Sequence, residues 1–188
     1  MKAVLISIRP KWCDLIARGE KTLEVRKNRP KLETPFKCYI YRAKGKARHI
    51  VNGKWFDMPV GGNVIGEFVC DTFVVDKTFG HDPLFNGAAC MSEVKCAAYS
   101  CASPLYGWHI SDLKIYDRPK DLCDFRKPFP FHSFCKKCAR GGTAFHPETC
   151  YGCEHFENIN ITRPPQSWYY VEVLTDGCQG KACGVASS

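Results

Sequence analysis

Two groups of residues in this 188-residue chain have types and spacings that suit chemistry. The first is Cys135-Lys-Lys-Cys138, followed after 11 residues by Cys150-Tyr-Gly-Cys153. Each CxxC turn points two sulfurs at one centre, and two such turns supply the four thiolates of a tetrahedral zinc site. The segment between them has few aliphatic side chains, so bound metal would stand in for a missing core. Four thiolates leave no open position for water, which makes the expected cofactor a structural zinc rather than a catalytic one. A redox pair or four unrelated thiols is the competing reading. The second group is Gly19-Glu-Lys-Thr-Leu-Glu-Val-Arg26, a GxKxxExR pattern. Alternation along a strand puts Thr22, Glu24 and Arg26 on one face, with Lys21 at the preceding corner. A carboxylate set between two cations can orient them toward an anion or a carbonyl, or accept a base amino hydrogen itself. The plainer interpretation is an exposed ion-pair cluster worth little energetically.

Charge is concentrated in one part of the chain. Residues 1–54 hold 15 Lys or Arg against four acids, a local balance of +11, while the whole chain carries +8. Such a concentration is the electrostatic footprint of a nucleic-acid binder, although solubility alone can also explain it. Arg9, Lys11, Lys21, Arg26 and Arg42 are the expected phosphate contacts, and Trp12, Tyr41, Trp108 and Trp168 the aromatic residues available for base stacking. At least two of those aromatics are expected in the core instead.

The composition bounds the rest. With 45% apolar and 13% aromatic residues the chain has material for one packed domain. No apolar run approaches the 18 or so residues needed to span a bilayer, so no membrane partner is expected. Arg9-Pro-Lys11 interrupts the N-terminal apolar stretch before a signal-peptide core could form. Thirteen cysteines, an odd number, then point to reduced thiols and metal ligation in the cytoplasm.

The elements that must position these groups follow from local pattern. Ala3–Ile8 reads as a buried strand, and Pro10 starts a helix that Gly19 ends. Residues 22–27 alternate as a half-buried strand, 36–41 form a third, and 44–62 a hairpin or excursion. Residues 63–75 read as the longest strand, with Gly66 at a bulge or close backbone approach. A helix capped by Ser92, strands at 105–110 and near 114–116, and a last strand at 168–174 complete the set. Five or six strands with few helices predict an α+β fold built as a small mixed barrel.

GxKxxExR after an N-terminal strand and helix resembles the signature of the ASCH domain (activating signal cointegrator homology), a family of PUA-like β-barrels. Pro35–Tyr41, Val64–Phe68, Leu105–Leu113 and Pro165–Trp168 look like the later strands and turns of its bacterial and phage members. The resemblance implies a single domain over residues 1–175, with the zinc knuckle inserted at about 130–157 and a tail at 176–188. It further implies binding of RNA, other single-stranded nucleic acid or a nucleotide ligand in a cleft lined by the signature residues. Some small members are amidohydrolases acting on N-acetylcytidine-type modified nucleosides. In those a lysine at the position of Lys21 activates a threonine at the position held here by Glu24, helped by a further glutamate. Lys21 matches, but Glu24 cannot be the same hydroxyl nucleophile. Thr22 and Glu93 are weaker catalytic candidates, and the amidohydrolase is the alternative reading.

Overall fold

The computed structural model describes residues 2–51, 54–128 and 160–173, with backbone alone at 47–51 and 54–59. The cysteine pairs at 135–153 and the tail from 176 lie outside the described residues. Strand β1 (Lys2–Ile8) leads into helix α1 (Pro10–Ala17), then β2 (Leu23–Arg26), β3 (Phe36–Arg42), β4 (Gly45–Val51) and β5 (Lys54–Val60). There follow β6 (Asn63–Cys70), β7 (Phe73–Asp76), α2 (Pro83–Ala88), α3 (Glu93–Ser100), β8 (Leu105–His109), β9 (Ser111–Lys120) and β10 (Trp168–Glu172). A 3-10 turn spans Leu122–Asp124. Among the described residues no helix is long and apolar enough to cross a membrane.

β1 is apolar from Ala3 to Ile6 because it is covered on both faces. It lies inside a five-stranded sheet of order β10-β1-β3-β6-β9, parallel to β3 and antiparallel to β10. Val4, Ile6 and Ile8 face a core shared with Cys13 and Ile16 of α1, Phe36, Cys38, Ile40, Phe68 and Trp108. Ala3 and Leu5 point the other way, onto Tyr39, Val64, Phe125 and Ile161. The two-residue period of a strand thus feeds two apolar layers at once.

The predicted long strand at 63–75 is in fact two. β6 belongs to the large sheet, whereas β7 joins β2 and β8 in a three-stranded sheet of order β2-β8-β7. The chain changes sheet at Asp71-Thr72, where the Thr72 carbonyl leaves the β6 ladder and accepts from the His109 amide at 3.1 Å. β4 and β5 pair as a separate hairpin. The described strands therefore make two main sheets packed about one core, and among them no barrel closes. Gly66 sits where the β6–β9 register shifts. A Cβ there would lie 2.5 Å from the Lys114 carbonyl oxygen, so only glycine lets β9 approach.

The smaller sheet has its own apolar layer, in which Leu23 and Val25 of β2 pack with Phe85 of α2, with Ala89 just after that helix and with Leu105. Helix α2 does not emerge from periodicity. It is started by Asp82, whose carboxylate accepts from the amides of Leu84 and Phe85, with Pro83 in the first turn.

Candidate functional site

The signature residues meet where α1 turns into β2. Gly19, at φ +74°, ends the helix, and the amides of Glu20 and Lys21 both reach back to the Leu15 carbonyl. The next amide, Thr22, donates to Ala88 and so draws this corner under α2. Lys21 is consequently buried rather than projecting. Its Nζ donates to the carbonyls of Leu23 at 2.7 Å and Ala89 at 2.8 Å, and lies 3.6 Å from Glu24 Oε2. It also stands 5.1 Å from the centroid of the Trp12 ring. Two of the three ammonium protons are taken by these carbonyls, and the Glu24 carboxylate stands at ion-pair distance. Burial pushes the Lys21 amine below the ordinary lysine value, with the Glu24 charge working against that shift.

Glu24 shares this setting, its side chain only 7% exposed. Its Oε1 accepts from Arg26 Nη2 at 3.0 Å, and the same nitrogen donates to the Ser7 carbonyl at 2.5 Å. Arg26 is thereby tied to β1, and Ser7 is in turn held by Ser167 and Pro165: its amide donates to the first carbonyl and its hydroxyl to the second. An exposed, weakly coupled ion-pair cluster is thus ruled out: Lys21, Glu24 and Arg26 form a buried charge relay of plus, minus, plus. Such a relay persists because each charge is paired and hydrogen-bonded.

These three residues line a cleft of about 1230 Å³. Arg9, Trp12, Tyr41 and Lys44 border it on the β1–α1 and β3 side, and Met91, Lys95 and Tyr99 on the α3 side. The segment Ile161–Ser167 supplies the remaining wall together with the 121–123 turn.

Other residues singled out in the sequence are placed elsewhere. Trp108, expected as a stacking platform, is fully buried and packs edge-on to Phe36 and Phe73. Trp168 tilts against Trp108, and its indole N–H donates to Asn28 Oδ1 at 2.9 Å, away from the cleft lining. Arg42 pairs with Asp14 of α1 at 3.0 Å. Lys11 is exposed with its ammonium 5.1 Å from the Trp12 ring. Thr22 is exposed and outside the lining, and Glu93 contacts His81 at 2.6 Å on the exterior. What the sequence reading missed is the α3 wall. Lys95 and Tyr99 stand four residues apart, a spacing that puts them on one helix face, but nothing local tells that this face borders a cleft.

Two sheets with a few short helices make this an α+β fold, and it is similar to that of ASCH proteins. A sequence model of the ASCH domain matches residues 6–79, which run from the end of β1 through β7 and contain the whole GxKxxExR segment. The crystal structure of ASCH from Zymomonas mobilis is similar in fold, with a TM-score of 0.51 at 17% identity over 90% of this chain and 87% of that one. Two single-residue mutants of the Zymomonas mobilis protein give TM-scores of 0.53 and 0.51, again at 17% identity. They cover 90% and 92% of this chain, and 88% and 91% of theirs. Among curated proteins no sequence matches.

Proposed function

We propose that this protein binds single-stranded nucleic acid, RNA foremost, in the cleft around Lys21, Glu24 and Arg26. The observation that carries this reading is the buried Glu24 carboxylate, fixed by two cations at the base of a large cleft whose rim holds Arg9, Lys44 and Lys95. A carboxylate repels phosphate, so the floor suits the neutral, hydrogen-donating edge of a base. The exposed rim cations suit the phosphates. Lys21, buried with two of its protons on backbone carbonyls, acts here by positioning Glu24, whereas Arg26 and Glu24 present the polar edge to the ligand.

Fluorescence titration of a labelled single-stranded oligoribonucleotide tests this. Wild-type protein should bind it, and Arg9→Ala together with Lys44→Ala should weaken binding at least tenfold without changing the thermal melt. Absence of wild-type binding at low salt would remove the proposal. The amidohydrolase alternative has less support, because Thr22 lies outside the cleft lining and Glu93 faces His81. From spacing alone we also propose a structural zinc on Cys135, Cys138, Cys150 and Cys153.

A further inference from the structure

The α3 wall of the cleft has a character of its own. It lies beyond residues 6–79, the part of the chain that matches the family model. Lys95 and Tyr99 project from one face of α3 into the cleft, and Met91 lines it just before the helix. The Tyr99 ring is 36% exposed, and the Lys27 ammonium stands 5.4 Å from its centroid. Lys27 directly follows Arg26, the last residue of β2, and is not itself among the residues lining the cleft, so its ammonium backs the Tyr99 ring from outside while Tyr99 and Lys95 face the cleft that Glu24 and Arg26 floor. The cleft volume of about 1230 Å³ exceeds the roughly 300–1,000 Å³ of a pocket for one small ligand.

We propose that Tyr99, backed by Lys27, and Lys95 form a second nucleotide subsite, which takes the base and phosphate adjoining the one held at Glu24 and Arg26. The inference rests on the nucleic-acid reading of the cleft and specifies its ligand as a strand of at least two nucleotides rather than a free nucleoside. One face of the Tyr99 ring carries a cation, and the other accepts a stacked base without regard to its identity. Lys95, with its charge free of any ion pair among the described residues, then meets the phosphate between the two bases.

The test compares a fluorescein-labelled tetraribonucleotide of random sequence with a mononucleotide. Tyr99→Ala should weaken tetramer binding about five- to tenfold, as loss of one base stack does, and Tyr99→Phe should restore it. Lys95→Ala should weaken the tetramer and flatten its salt dependence, while Lys95→Arg should not. The mononucleotide, held at Glu24 and Arg26, should be affected less than twofold by any of these changes. Both side chains are exposed, so melting temperatures serve as the folding control. If the tetramer binds wild type, and Arg26→Ala weakens it while Tyr99→Ala and Lys95→Ala do not, the second subsite is wrong and the first stands. If the wild type binds neither probe, both fall.

Discussion

Lys21 and Ala89 are joined across 68 positions of sequence by one hydrogen bond of 2.8 Å from the lysine ammonium to the alanine carbonyl. With the Thr22 amide on the Ala88 carbonyl, it fastens the end of α2 to the floor of the cleft and so places the α3 wall opposite Glu24. The signature lysine is therefore part of the packing as well as of the site.

Lys21→Met should destabilise the protein by about 3 kcal/mol or more, because it leaves two buried carbonyls without a donor and Glu24 with one cation instead of two. Backbone amide exchange should rise in residues 83–101 before it rises in β1 or β3. A melt within 1 °C of wild type would show that the ammonium is dispensable.

Glu24→Gln leaves Lys21 and Arg26 as two buried cations with no counter-charge, a change that costs on the order of 3–5 kcal/mol. The double change Lys21→Met with Glu24→Gln should cost less than the two single changes added together. A double-mutant cycle by chemical denaturation measures this coupling. Strict additivity would contradict the paired arrangement.

Binding of single-stranded RNA should weaken steeply with salt. With Arg9, Lys44 and Lys95 each neutralising a phosphate, the logarithm of the affinity should fall with the logarithm of salt concentration at a slope of about −2. Each single Ala substitution should reduce that slope by about 0.7. Titrations at 50 and 200 mM salt suffice, and a flat response would assign the basic residues to solubility.

Stability should decline as pH rises above 9. Burial pushes the Cys13 and Cys70 thiols up to about 12, and that of Cys38 well above its ordinary value. The folded state then keeps protons that the unfolded chain releases, which costs up to about 1.4 kcal/mol per pH unit for each thiol. Lys21 has the opposite sign: its lowered value means the unfolded chain binds the extra proton, so its burial cost fades as pH rises. Three thiols outweigh one amine. Denaturant midpoints at pH 8 and 10 should show the decline, and Cys13→Ala should make it shallower.

Metal analysis of protein purified without added zinc should give close to one equivalent, and Cys138→Ser should reduce it below half. Chelation should leave the melting of the β-sheet core in place, since β1, β3 and β6 have apolar layers of their own. Unchanged metal content in the variant would end the zinc assignment.

Much of the fold is legible in local pattern because its causes are local. The apolar run of β1, the proline that opens α1 and the glycine that ends it act on residues within one or two turns. GxKxxExR likewise placed Lys21, Glu24 and Arg26 together, since a corner and a two-residue strand period are properties of adjacent residues. Helix α2 and the split between β6 and β7 were not legible: a short capped turn has no periodicity, and Asp71-Thr72 changes sheet only because His109 is there to take up its carbonyl.

What the sequence by itself determined is thus the type and order of most elements, the charge concentration and the trio of signature residues. Tertiary structure decided the rest. It buried Lys21 and Glu24 by bringing Ala88 and Ala89 over them, consumed Trp108 in the core, and set α3 against the cleft. Burial and hydrogen-bond partners depend on residues distant in the chain, and no local pattern encodes which distant carbonyl an ammonium will find.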